Sequence, residues 1–316
     1  MLVTEKSPIV IVGCADDNYS MPLATTMSSV IAHVSSQRQV VICIIANKIA
    51  QANKKKILKS LNKPNVTIEW LVPDEAKLTN VIISRHITIA SYYRILIPEL
   101  LPAKYQKAIY LDSDVIVKTN IEKLWDTEIA DNYVLAVRDM DIDATYVSSP
   151  KGLQNYQQLG IAPDCKYFNA GVLVLNVDKW RRDNLSQKIV NYISNNQLYI
   201  RWHEQDAMNA VIAGKWSELD LRWNSQAVIH TYSSWKETSL TEEMYNNVIN
   251  DSYIVHFSSS AKPWKLGCKH PNRMLFFQYI DLTAWAGWRI TFIRKSWLKM
   301  KEIMKKKGIL FSWQRA

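Results

Sequence analysis

Two carboxylates, Asp112 and Asp114, fall at the end of the otherwise apolar run Ala108-Ile-Tyr-Leu-Asp-Ser-Asp-Val-Ile-Val117. Side chains two apart on a strand point to one face, so both acids look into one site and can share one hard cation. Mg²⁺ or Mn²⁺ carrying a diphosphate is the guest that such an oxygen pair suits. The plainer alternative is a solvated turn where a strand stops. His256 closes a second apolar run at 253–257, and an imidazole added to two carboxylates makes a Mn²⁺ donor set; a structural histidine is the competing reading. Lys262 follows in a loop fixed by Pro263 and Trp264, placed in sequence to meet a phosphate beside the metal.

A further polar cluster, Ala15-Asp-Asp-Asn-Tyr19, follows the first apolar run. Asp16 offers an acceptor and Asn18 a two-sided amide, which together can read a uracil edge, while Tyr19 offers a ring to stack on the base. An Asx turn capping the next helix would use the same residues. Neither GxGxxG nor GxxxxGK[ST] occurs, so phosphate handling falls to the metal and Lys262.

The elements that must position these groups alternate. Strand-like runs at 9–12, 40–46 and 66–72 are each followed by a helix-like run, at 21–34, 49–61 and 87–100. Further strands are expected at 108–111, 133–137 and 171–176. This βαβ rhythm predicts an α/β protein with a mostly parallel, doubly wound sheet, whose ligands bind beyond the carboxyl ends of the strands. Ala15–Tyr19, Asp112–Asp114 and Arg138-Asp139 all lie at such ends and are expected to meet in one crevice. The pattern turns helical over 187–214, with Glu204-Gln-Asp206 inside it, and becomes irregular and aromatic after Lys215.

The chain has 316 residues, 48% of them apolar, which suits one large catalytic domain with an appendage. Its four cysteines, Cys14, Cys43, Cys165 and Cys268, lack paired spacing and are expected to be reduced thiols. No run is long enough for a membrane span, and the first residues lack a secretory signal pattern, so a cytoplasmic location is expected. Of the net charge of +10, nine Lys or Arg against Glu302 alone lie between Trp285 and Ala316. There Ile290, Ile293, Trp297, Met300 and Met304 recur at three- and four-residue steps between cations, one apolar stripe on a basic helix. With four of the 12 Trp, this segment has the composition of a helix lying in an anionic lipid interface; a stripe packing onto the catalytic domain or another subunit is the competing reading. Charge gathered in a tail, rather than lining a groove with interleaved aromatics, argues against nucleic acid.

Six ordered motifs carry a resemblance: Asp16-Asp-Asn-Tyr19, Arg94 in Ser-Tyr-Tyr-Arg, Tyr110-Leu-Asp-Ser-Asp114, Tyr167-Phe-Asn-Ala-Gly171, Glu204-Gln-Asp206 and the run from His256 to Trp264. The chain resembles the family 8 retaining glycosyltransferases, and within them the bacterial lipopolysaccharide α-galactosyltransferases. The resemblance implies a GT-A fold at 1–267, with nucleotide-sugar binding over about 8–140 and the acceptor and active-site part over about 141–267; 268–316 is left as the basic membrane-associating region. It implies a UDP-hexose donor, galactose or glucose, and a glycan or glycolipid acceptor such as lipopolysaccharide core. Asp112, Asp114 and His256 become Mn²⁺ ligands, with Mg²⁺ as the alternative ion. Asp16, Asn18 and Tyr19 hold the base, Asp112 and Ser113 lie near the ribose, Lys262 holds the diphosphate, and Ala15 and Ser259 also belong to the UDP-sugar site. Arg94, Asp139, Asn169, Glu204 and Gln205 surround the transferred hexose, with Gln205 on the far sugar face as nucleophile or charge stabiliser. One departure stands out: Ser259 replaces the glycine of the family's His-x-x-Gly-x-x-Lys-Pro-Trp loop, where a Cβ can crowd a phosphate. That departure keeps open a catalytically silent protein binding a sugar nucleotide or a membrane partner on the same fold.

Overall fold

The computed structural model describes residues 7–78, 81, 88–291, 296 and 300. Its ten strands in chain order are β1 (Ile9–Cys14), β2 (Val40–Ile45), β3 (Val66–Leu71), β4 (Lys107–Leu111), β5 (Val115–Val117), β6 (Val134–Arg138), β7 (Phe168–Asn176), β8 (Trp216–Glu218), β9 (Ser225–Gln226) and β10 (Ile254–His256). A seven-stranded sheet has the order β3-β2-β1-β4-β7-β6-β8, and β5-β10-β9 form a smaller one. The alternation of strands and helices produces a mostly parallel sheet, as the sequence predicts. β3, β2, β1 and β4 are mutually parallel, as are β6 and β8. β1 and β2 are buried at every residue, which is why they read as unbroken apolar runs rather than alternating ones.

Strand β7 departs from the expected pattern. It runs antiparallel to both β4 and β6 and starts at Phe168, three residues before the apolar run that marks it in sequence. Its register against β6 shifts between Ala136↔Leu173 and Val137↔Asn169, an irregularity that re-aims Asn169, Ala170 and Gly171 toward the sheet's ligand-binding end. The helix expected over 87–100 is, over its described part, a chain of single turns: Ile89–Tyr92, a 3-10 turn at Tyr93–Leu96, then Ile97–Leu100 with a proline in its first turn. The run at 187–214 divides into Leu185–Asn195 and Glu204–Ile212, and His203 between them has φ +53°. A positive φ at a non-glycine residue is strained, and here it turns the chain abruptly into the helix that opens with Glu204.

The small sheet does the decisive positioning. β10 pairs antiparallel with β5, His256 opposite Val115, so an imidazole far along the chain arrives beside Asp114. Helix Ser20–Ala32, buried along most of its length, supports it: Thr26 Oγ1 donates to Val115 O at 2.8 Å and Val117 N donates to Ser29 Oγ at 2.9 Å. Beyond the sheet, Ile116, Val255 and Phe257 form a second apolar core with Phe276, Phe277 and Ile280 of helix Arg273–Ile280. All four cysteines are free. No described helix is long and apolar enough to cross a membrane. Of the C-terminal stripe, Ile293, Trp297 and Met304 lie outside the described residues.

Candidate active site

One cleft of about 410 Å³ opens at the carboxyl ends of β1 and β4. Ala15, Asp16 and Tyr19 line it from β1, Asp112, Ser113 and Asp114 from β4, and Asp139 from β6, as the strand-end argument requires. Arg94, Asn169, Glu204, Gln205, His256, Ser259 and Lys262 complete the wall among the sequence-identified residues. Asn18 is exposed and does not line the cleft. Arg138 points away from it and pairs with Glu218 at 2.9 Å. Asp16 also serves as a cap, accepting from Tyr19 N at 3.1 Å, while Asp17 accepts from Ala50 N and Asn53 Nδ2, both at 2.8 Å, and so anchors the start of helix Gln51–Ser60.

Asp112, Asp114 and His256 each offer one ligand atom, all within 4.8 Å of one another. His256 Nε2 lies 3.4 Å from Asp114 Oδ1 and 3.7 Å from Asp112 Oδ2. Its Nδ1 lies 2.9 Å from the Asn224 carboxamide oxygen, a contact that holds the ring with Nε2 toward the two carboxylates. Two carboxylate oxygens and one imidazole nitrogen are a donor set for Mn²⁺ or Mg²⁺. The space between them is kept by Gly171: a Cβ there would come within 2.3 Å of His256 Cε1 and 2.9 Å of Asp112 Oδ2. The residues therefore fit a divalent cation.

The surrounding charges are arranged accordingly. Burial alone would raise the Asp114 carboxyl, but Lys262 and His256 outweigh it and hold the group well below the usual carboxylate range. Lys262 Nζ bonds Asp114 Oδ2 and donates to Phe257 O at 2.7 Å. Arg94 acts as a strut: Nη2 reaches Asp112 Oδ1 at 2.7 Å and Glu204 Oε1 at 3.3 Å, Nη1 donates to Ala170 O at 2.7 Å, and Nε to Ser91 O at 3.0 Å. Tyr110 OH also donates to Asp112 Oδ1, at 2.5 Å. Burial lifts Glu204 to about 7 despite Arg94, and its Oε2 is buried without a hydrogen-bond partner.

The opposite wall is built from amides. Gln205 Oε1 accepts from Ala170 N at 3.0 Å, and its Nε2 donates to Asp139 Oδ2 at 3.2 Å. Asn169 Oδ1 accepts from Gly171 N at 3.1 Å and from Asn224 Nδ2 at 2.9 Å. Desolvation raises Asp139 above its ordinary range, opposed by hydrogen bonds from Asp141 N, Asn169 and Gln205. Ser259 is exposed at the cleft mouth and is not among the non-glycine residues with positive φ, so its backbone does not require glycine. Sequence reasoning missed Asn224 and Gln226, which sit in an aperiodic stretch before and within β9. Pairing of β9 with β10 places them beside His256, a relation with no local signal.

Residues 10–267 match the family described as Glycosyl transferase family 8. The chain belongs to glycosyl transferase family 8. Among relatives, it is 34% identical over 278 residues to General stress protein A of Bacillus subtilis, covering 87% of this chain and 94% of that one. It is 24% identical over 275 residues to a lipopolysaccharide 1,2-glucosyltransferase of Escherichia coli, covering 86% and 78%. Among solved structures, the galactosyltransferase LgtC in complex with donor and acceptor sugar analogues superposes with a TM-score of 0.74 at 25% identity, covering 87% of this chain and 96% of that one. This glycosyltransferase thus has the α/β fold of the GT-A enzymes.

Proposed function

We propose that this family 8 glycosyltransferase is a retaining hexosyltransferase that moves galactose or glucose from a UDP-sugar to a bacterial surface glycan such as lipopolysaccharide core, with Mn²⁺ or Mg²⁺ held by Asp112, Asp114 and His256. The observation that carries the reading is the convergence of those three ligand atoms, Lys262 and the Gln205–Asp139 pair on one cleft. In this reading Ala15, Asp16 and Tyr19, which line the cleft, receive the base, and Ser113 the ribose. Bound there, the cation would supply Lewis-acid neutralisation of the leaving diphosphate.

The chain's own groups do the rest. Lys262, free to exchange its Asp114 contact for a phosphate oxygen, adds a second positive charge to the leaving group. Arg94 is a positioning residue, since its Nε and both terminal nitrogens already brace Asp112, Glu204 and backbone carbonyls. Gln205 is locked at both ends of its amide, which favours a fixed dipole stabilising an oxocarbenium-like sugar over a nucleophile. Same-face displacement follows, with the departing phosphate oxygen taking the acceptor hydroxyl proton. We also assign a peripheral position on the inner face of the membrane, supported by the cationic, Trp-rich composition of 285–316. The test is UDP release from UDP-galactose and UDP-glucose with Mn²⁺ and with EDTA, beside Asp114→Asn. Metal-dependent release that the variant loses supports the reading and ranks the two sugars; the absence of both release and Mn²⁺-dependent UDP binding overturns it.

A further inference from the structure

The basic charge is not confined to the C-terminal segment. No Asp or Glu occurs from Asn18 to Ile68, a stretch that holds Lys48, Lys54, Lys55, Lys56, Lys59 and Lys63. On helix Gln51–Ser60, Ile57 is buried in the core, and at 100° per residue Lys55 and Lys59 then point outward while Lys56 faces sideways. Lys55, Lys56 and Lys59 are exposed, and none has a carboxylate partner among the described residues.

The chain leading into the cationic C-terminus is seated against this same helix. Ala284 N donates to Ser60 Oγ at 2.9 Å, and Lys56 Nζ lies over the Trp285 ring at 5.3 Å. Just before them, Leu282 is 59% exposed, too bare for a core residue and next to a half-buried Trp. An exposed leucine and a row of lysines, beside a tryptophan half-buried against the core, are the parts of a surface that meets a bilayer headgroup region. The cations of 289–316 cannot neutralise the lysines beside which the segment begins, so both call for one extended polyanionic partner. A nucleic acid would meet the charge but has no use for the bare Leu282.

We propose that helix Gln51–Ser60, through Lys55, Lys56 and Lys59, and the Leu282–Trp285 turn form one docking surface for an anionic lipid bilayer, acting jointly with the C-terminal segment. The proposal extends the membrane assignment made above and does not depend on the donor. Asp17, next to cleft residue Asp16, anchors the first turn of that ten-residue helix.

The test uses the full chain, with vesicles of phosphatidylcholine alone and of two parts phosphatidylcholine to one part phosphatidylglycerol, at physiological salt. Lys55→Glu with Lys59→Glu is expected to weaken binding to the anionic vesicles by at least about tenfold, and Leu282→Ser by severalfold. Thermal melting and UDP release, read on the same samples, are expected to stay at the parent level. Parent-level vesicle binding by the charge-reversed protein overturns the surface and leaves the C-terminal segment alone responsible. A parent that ignores anionic vesicles overturns it together with the membrane assignment, and tighter binding to a duplex oligonucleotide than to vesicles overturns it in favour of nucleic acid. Donor turnover failing while these vesicle results hold would count against the transferase reading only.

Discussion

The two walls of the cleft solve different electrostatic problems. On one side Asp112, Asp114, His256, Arg94 and Lys262 form an ionic cluster in which each buried charge has an opposite partner. On the other, Asn169, Asn224 and Gln205 tie Asp139 into a web of neutral dipoles. A buried carboxylate persists only where something compensates it. The ionic wall is compensated by cations and is ready for one more; the amide wall keeps its acid desolvated. The first wall therefore suits a charged diphosphate and the second a neutral sugar whose charge appears only during transfer.

The largest effect expected is at the ionic wall. Asp114→Asn removes a ligand oxygen and the partner of Lys262, and metal-dependent UDP release is expected to fall on the order of 10³-fold, several kcal/mol of barrier. Gly171→Ala attacks the same wall by shape alone: its Cβ would collide with His256, so Mn²⁺ affinity by titration calorimetry should drop on the order of 10²-fold while the far side of the cleft stays intact. Asn224→Ala touches both walls at once, because Asn224 bonds His256 on one side and Asn169 on the other. Losing its bond to His256 Nδ1 should cost about 10-fold to 100-fold in Mn²⁺ affinity, and losing its bond to Asn169 should raise the donor KM as well. A metal effect without the KM effect would show that the walls work independently.

The smallest effect concerns Glu204, which Arg94 links to the ionic wall. Its folded carboxyl titrates near 7, above the 4.5 of an exposed glutamate, because burial favours the neutral acid. Between those values the folded state binds more protons than the unfolded, so this group's contribution is full below about pH 4.5 and is lost as pH rises through about 7. Melting measured from pH 5 to 8 should therefore decline less steeply with pH in Glu204→Gln than in the parent. Equal slopes would mean that Arg94 keeps Glu204 ionised throughout.

How legible these walls are in the sequence differs for physical reasons. Asp112 and Asp114 stand out because charges interrupt an apolar strand, and the parallel half of the sheet follows from buried runs spaced by helices. His256, at the end of a short apolar run, gave a weaker signal that the metal hypothesis strengthened. The antiparallel direction of β7, and the shift that re-aims Asn169 and Gly171, depend on which neighbours the strand pairs with. The turn at His203 and the placement of Asn224 arise from tertiary constraints in stretches without periodicity. Asn18 illustrates the reverse case: its amide chemistry is suitable, but the 3-10 turn Asp17–Tyr19 leaves it at the surface.

By itself the sequence determined the strand–helix alternation, the edge of the sheet where a ligand must bind, and the acidic pair, since these rest on local periodicity and on charges set against an apolar background. The folded arrangement added that His256 turns Nε2 to that pair, that Gly171 holds the space between them, that Arg94 is a strut, and that Lys56 of helix Gln51–Ser60 lies over Trp285. Each of those relations joins residues distant in the chain, and the pairing and packing that bring them together have no counterpart in any local pattern of residues.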